Sequence, residues 1–208
     1  PPPPVTPGTP SAPVTPAKPA APVGLPFADV SGSDWFYNDV RYVYEKGIMD
    51  GTGADRFSPN APLTRAMIVT ILYRMAGSPA VNAPSGFADV DDGQWYSDAI
   101  AWAAANGIVN GVAKNTFAPD DSITREQIAA MLYRYAGAEA AKEDKLSAFP
   151  DAAKVSDWAK EALNWAVASG LINGVANANG TANLEPQATA TRAQIATILM
   201  RFMEKIAK

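Results

Sequence analysis

No cysteine and no histidine occur among the 208 residues. Ser-His and Cys-His nucleophile pairs and His-based zinc sites therefore cannot form within the chain, and no disulfide framework staples it. Basic residues are also scarce: 17 Lys and Arg against 21 Asp and Glu give a net charge of −4 and an isoelectric point near 4.8. Without a long basic run the chain lacks the polycation that phosphate backbones require, so no nucleic-acid partner is expected. No apolar stretch reaches the roughly 18 residues needed to span a bilayer. A leader-type segment is missing too, and a start at "PPPP" reads as the middle of a longer protein.

The remaining routes to catalysis are carboxylate pairs. Asp91-Asp92 and Asp120-Asp121 are adjacent residues on loops, which does not set up the opposed geometry of glycoside hydrolysis, and they read as solvated turns. "DVDDG" has a faint likeness to a calcium loop, but its twelfth position is Ile100 rather than Glu. No metal, cofactor or enzymatic activity is expected.

What is present is 48% hydrophobic residues, enough for a proper core. Eleven of the 18 prolines fall in Pro1 to Pro26, mixed with Thr, Ala, Val and Ser. Residues 1–26 read as a polyproline II spacer of about 3.1 Å per residue, with an upstream domain expected beyond it. A docking peptide for a proline-reading domain is the competing reading.

From Phe27 onward the sequence repeats. "FADVSGSDWFYNDVRYVYEKGIMDG" aligns with "FADVDDGQWYSDAIAWAAANGIVNG" and "FPDAAKVSDWAKEALNWAVASGLING". Phe27, Phe87 and Phe149 open the units, Asp29, Asp89 and Asp151 follow, and Trp35, Trp95 and Trp158 each lie 12 residues before Gly47, Gly107 or Gly170. Gly51, Gly111 and Gly174 come next, then a Thr-Arg pair. Three units of about 60 residues result, at 27–86, 87–148 and 149–208.

Within a unit the apolar spacing is helical twice. Trp95, Ala99, Ile100, Trp102 and Ala103 form one stripe, closed by Gly107 as a left-handed cap. Ile68, Ile71, Leu72 and Met75 form the second, matched by Ile128, Met131, Leu132 and Tyr135 and by Ile195, Ile198, Leu199 and Phe202. Nothing alternates with period two. Phe57, Phe117 and Leu184 should pin the connecting loops to the core. The fold class is all-α, three helix-loop-helix repeats.

Thr64, Thr124 and Thr191 suit the N-cap, and Gln127 and Gln194 complete capping boxes that Met67 cannot. Capping leaves Arg65, Arg125 and Arg192 unexplained, since a cation at the first helical position opposes the macrodipole. One reading is an ion pair to Asp29, Asp89 or Asp151. The other is a receptor for an external carboxylate or phosphate, built from a guanidinium fork and a helix N-terminus. The tryptophans suit a core, as residues opening amphipathic helices, and also sugar rings. The paired glycines are turn formers that also permit close approach to the backbone. Arg74, Arg134 and Arg201, late in the second helix, read as a solvated face.

"FADV", the tryptophans, "GIMDG", "GIVNG", "GLING", Pro59, Pro119, Pro186 and the runs "TRAM", "TREQ" and "TRAQ" together resemble the S-layer homology domain, which occurs as three tandem units in bacterial surface proteins. The resemblance covers Phe27 to Lys208. It implies a monomeric, pseudo-threefold body with a central helix bundle and grooves between neighbouring units. It also implies an extracellular location at the cell wall and binding of secondary cell-wall polysaccharide, often bearing ketal-linked pyruvate. Arg65, Arg125, Arg192, Asp29, Asp89 and Asp151 match its binding residues, and Trp35, Trp95, Trp158, Gly51, Gly111 and Gly174 complete the candidate set. Self-association in a surface lattice is the alternative function. The third unit departs most: "FPDA" replaces "FADV", and four extra residues lie between Gly174 and Thr191.

Overall fold

The computed structural model describes residues 24–178 and 180–207. Most of the stretch read as a linker, residues 1–23, lies outside them; Leu25, within that stretch, packs against the core.

The regular secondary structure of the described residues is almost all helical. Each unit supplies a short first helix, α1 (Tyr37–Glu45), α3 (Ser97–Ala105) or α5 (Lys160–Ala168), and a longer second helix, α2 (Arg65–Met75), α4 (Arg125–Tyr135) or α6 (Arg192–Lys205). The first helices start two residues after their tryptophans rather than at them. Turn bonds such as Tyr37 N–H to Asp34 C=O (3.0 Å) and Ser97 N–H to Gln94 C=O (3.1 Å) hold Trp35 and Trp95 in the preceding turn. At the other end Gly47, Gly107 and Gly170 take φ of 66–68°, the left-handed conformation that ends a helix and that only glycine adopts without strain.

The second helices carry the caps that their sequences predict. The side chains of Thr124 and Thr191 accept from the backbone N–H of Gln127 and Gln194, and those glutamines answer to the threonine N–H groups; Thr64 accepts from Met67 N–H with no return bond. These helices are inner helices. Arg65, Ala66, Ile68, Val69, Thr70, Ile71 and Leu72 are all buried in α2, against only Val40 and Val43 in α1. An element buried on nearly every side needs apolar or satisfied groups all round.

The first helix of each unit packs on the second helix of the preceding one: α3 on α2, α5 on α4, and α1 on α6, which closes the ring. The orphan N–H groups of the inner helices follow the same cycle. Arg65 and Ala66 donate to Asp121 and Pro119; Arg125 and Glu126 donate to Ala188 and Pro186; Arg192 and Ala193 donate to Ala61 and Pro59. Bridges Thr64 to Ser122, Thr124 to Thr189 and Thr191 to Pro62 run alongside. One core joins all three units, from Phe27 to Phe202, with Phe57, Phe117 and Leu184 fully buried as expected.

A departure from the period-two expectation lies in the third unit's longer loop. There β1 (Val175–Ala176) pairs antiparallel with β2 (Ala182–Asn183), a hairpin of two residues a side that uses the four extra residues. Such a pairing is too short to leave a readable alternation.

Candidate functional site

The repeated arginines answer to backbone, not to carboxylates. Arg65 Nε donates to the carbonyl of Phe117 at 2.8 Å, Arg125 Nε to that of Leu184 at 2.8 Å, and Arg192 Nε to that of Phe57 at 2.6 Å. Arg65 and Arg192 add Nη2 bonds to the carbonyls of Asn110 (3.4 Å) and Asp50 (2.5 Å). Their guanidinium carbons lie 4.6 and 4.5 Å from the ring centres of Phe117 and Phe57, within cation–π reach. The expected ion pairs to Asp29, Asp89 or Asp151 are not among those of the described residues. Burial pulls each guanidinium below its ordinary value, opposed by Asp121 and Asp89 around Arg65, by Glu185 and Asp151 around Arg125, and by Asp29 and Asp50 around Arg192. Arginine stays charged through such a shift.

The three aspartates serve the other side of the same loops. Asp29 accepts from Phe57 and Ser58 N–H at 2.8 Å each, Asp89 from Phe117 (2.8 Å) and Ala118 (2.7 Å), and Asp151 from Leu184 and Glu185 at 2.8 Å each. Ser58, Ala118 and Glu185 sit at φ of 56°, 58° and 49°, a left-handed conformation costly for residues with a Cβ, and the carboxylate clamps hold them there. Desolvation acts to raise the carboxyls of Asp29 and Asp89, but the backbone N–H bonds outweigh it, and both lie below the ordinary value.

Helix N-termini as anion receptors must also be revised. At α2, the N–H groups of Arg65, Ala66, Met67 and Ile68 are taken by Asp121, Pro119, the Thr64 hydroxyl and the Thr64 carbonyl. The first four donors of the helix are spent within the protein, so an external anion would meet only the guanidinium's outer edge.

Those outer edges open into three cavities of about 400, 380 and 520 Å³. Each is assembled from all three units, not from two neighbours. The first joins Arg65 of unit one, Asn110, Gly111 and the face of α4 from unit two, and Trp158 of unit three. The second joins Arg192, Asp50, Gly51 and the face of α2, and Trp95. The third joins Arg125, Asn173, Gly174 and the face of α6, and Trp35. The tryptophans keep 67%, 59% and 55% of their surface exposed at positions 35, 95 and 158, so the core reading does not hold for them. Trp35 and Trp95 lean edge-on against Phe36 and Tyr96 (5.2 and 5.1 Å), which sets the angle of the indole.

The glycines have an internal reason to exist. A Cβ at Gly51 would lie 2.6 Å from the Arg56 carbonyl and from the ring of Phe27, and one at Gly111 would meet the Thr116 carbonyl. Their absent side chains let the loop fold back on itself at the groove floor. Asp29, Asp89 and Asp151 are absent from all three linings, and act beneath the loop that receives the arginine.

Sequence reading missed the groove wall. Gln127, Ala130, Met131 and Arg134 line the first groove, with Met67, Thr70, Ile71 and Arg74 and then Gln194, Thr197, Ile198 and Arg201 in the others. Their spacing of i, i+3, i+4, i+7 is a second helical stripe beside the core stripe, and it was the available signal. Arg134 and Arg201 are not simply solvated: they donate to the carbonyls of Ile108 (3.3 Å) and Leu171 (3.2 Å) at the groove edge.

The S-layer homology domain matches three successive segments, residues 26–66, 86–129 and 148–196. The chain belongs to that family. Membership makes this S-layer homology chain a cell-surface anchoring module. It is 36% identical over 167 residues to the "Surface-layer 125 kDa protein" of Lysinibacillus sphaericus, covering 80% of this chain and 14% of that protein. With the "Endoglucanase" of Bacillus sp. (strain KSM-635) it shares 31% identity over 88% of this chain and 19% of the enzyme. With the "S-layer protein sap" of Bacillus anthracis it shares 32% over 86% of this chain and 21% of that protein. The chain thus spans between 14% and 21% of these relatives. The enzyme and the layer proteins share this segment, which separates it from catalysis. Among the described residues no helix is long and apolar enough to cross a membrane.

Proposed function

We propose that this chain holds a larger surface protein on the bacterial envelope by binding secondary cell-wall polysaccharide in its three grooves. One observation carries the reading: a guanidinium, an exposed indole and a mixed polar and apolar helix face converge on each cavity, although they come from three different units. An indole face suits the C–H surface of a sugar ring, and a guanidinium edge suits a carboxylate held on that ring. A pyruvate ketal is a ligand group of this kind. The arginine's inner edge is fixed by carbonyl bonds, so the outer edge is oriented before ligand arrives, which lowers the ordering cost of binding.

The cationic groups of the grooves are spaced around one rigid core, and a polymer engaging more than one of them would gain by effective concentration. Self-association calls for a contiguous apolar patch. Among the described residues the exposed large hydrophobic ones are Trp35, Trp95, Trp158 and Val112, divided among the grooves, which favours separate small-ligand sites. Binding to purified wall sacculi before and after extraction of the non-peptidoglycan polymer tests the reading. Binding should vanish with the polymer; retention would make peptidoglycan or protein the ligand.

A further inference from the structure

The three grooves share a plan but not a charge. Asn110 and Asn173 stand beside the floor glycine in the Trp158 and Trp35 grooves, and Asp50 takes that place in the Trp95 groove. The Asp50 side chain is 67% exposed, and its carboxylate reaches across to Arg74 at 3.3 Å. The corresponding arginines, Arg134 and Arg201, meet uncharged carbonyls instead. Two grooves therefore present two guanidinium charges each, and the third presents two guanidinium groups offset by one carboxylate.

A second substitution points the same way. Gln127 and Gln194 use Oε1 to accept the N-cap N–H, which leaves their amide NH₂ as a donor at the groove wall. Met67 lines the Trp95 groove at that position and has no donor. Other carboxylates near the two cationic grooves stand outside the linings and have partners or positions of their own. Asp34, beside Trp35, accepts from Ser31 N–H at 2.7 Å, and Asp157, beside Trp158, pairs with Lys160 at 2.6 Å. Asp121 and Glu185 act on Arg65 and Arg125 from outside the cavities. Glu126 accepts from Ser156 at 2.8 and 3.0 Å, and Asp39 accepts from the Thr197 hydroxyl.

We infer that the grooves divide by ligand class: the Trp158 and Trp35 grooves take acidic sugar units, and the Trp95 groove takes a neutral one between Met67 and the indole. This rests on the proposed function, since it assigns a substrate class to each of the same grooves. Asp50 and Met67 are the discriminating residues. Like-charge repulsion at Asp50 and the missing amide donor both act against a carboxylate ligand and cost a neutral one little.

Each groove carries its own reporter in the indole N–H of its tryptophan. Two probes separate the classes: a methyl hexoside bearing a pyruvate ketal, and the methyl ester of the same compound. In titrations followed by NMR, the acid should shift the Trp35 and Trp158 signals at concentrations about tenfold or more below those needed at Trp95. The ester should remove or reverse that order. Exchanging the Trp95 groove for its siblings' residues, with Asp50→Asn and Met67→Gln, should bring all three signals to one affinity for the acid. Both changes reproduce groups already accommodated in this fold. Equal affinity of the acid at all three tryptophans in the unaltered protein overturns the division but leaves the sugar reading standing. An unchanged order in the double variant overturns the assignment to Asp50 and Met67. A response to neither probe at any tryptophan removes the sugar reading and the division together.

Discussion

Arg65 and Phe117 belong to different units, yet the Nε of one donates to the carbonyl of the other at 2.8 Å while the guanidinium stacks 4.6 Å from the ring centre. Asp89 holds the N–H of the same Phe117 at 2.8 Å. The N–H and the C=O of one loop residue are thus held by an anion and a cation that form no ion pair with each other. The cation at the first helical position is an inter-unit staple, and the unfavourable dipole term is offset by these bonds.

Replacing Arg65 with Ala should lower stability by roughly 1.5–3 kcal/mol, because the buried Phe117 carbonyl is left with no donor. Arg125→Ala should cost about 0.5–1 kcal/mol less, since Leu184 offers no ring for the guanidinium to cover. Urea unfolding midpoints measure both. Equal losses in the two variants would remove the stacking contribution, and no loss in either would make the carbonyl bonds incidental.

Trp158→Ala separates binding from architecture. The side chain is 55% exposed and closes the groove of Arg65, so melting should barely move while affinity for wall polymer falls severalfold or more. A melting temperature that drops in step with binding would return the indole to a structural role.

The acid limb of stability should report the aspartate clamps. Asp29 and Asp89 lie below their ordinary value in the fold, so their contribution is present above the ordinary carboxyl value of about 3.9 and is lost as pH falls through the lower, folded value. Melting temperatures should hold steady down to about pH 4 and then fall. In Asp29→Asn/Asp89→Asn the steep part should flatten. A curve of unaltered shape would show that other carboxylates govern acid unfolding.

Ala118 lies at φ 58° with its N–H held by Asp89. Ala118→Gly removes a left-handed strain of about 1–2 kcal/mol against a chain-entropy cost of about 0.5–1 kcal/mol, so a net gain of roughly half to one kcal/mol is expected. Thermal unfolding detects a change of that size, and a loss of stability would mean that the clamp leaves no strain to relieve.

The sequence by itself determined the three units, the two helices in each, the caps and the absence of His- or Cys-dependent chemistry. Those features depend on residues within one helical turn of each other, or on a repeat visible by alignment. Thr124 with Gln127 and the φ of Gly107 are local, and both stood as read. The partner of each arginine was not local: Arg192 meets Phe57 across 135 positions, after the ring has closed. The grooves lay further out of reach. Arg65, Gly111 and Trp158 share a cavity only because α3 packs on α2 and α5 on α4, and spacing within a unit carries no record of that order. Two arrangements that look alike in sequence, a carboxylate facing a guanidinium and a carboxylate facing the peptide beneath it, differ by a few ångströms, and it is the packing of one unit on the next that decides between them.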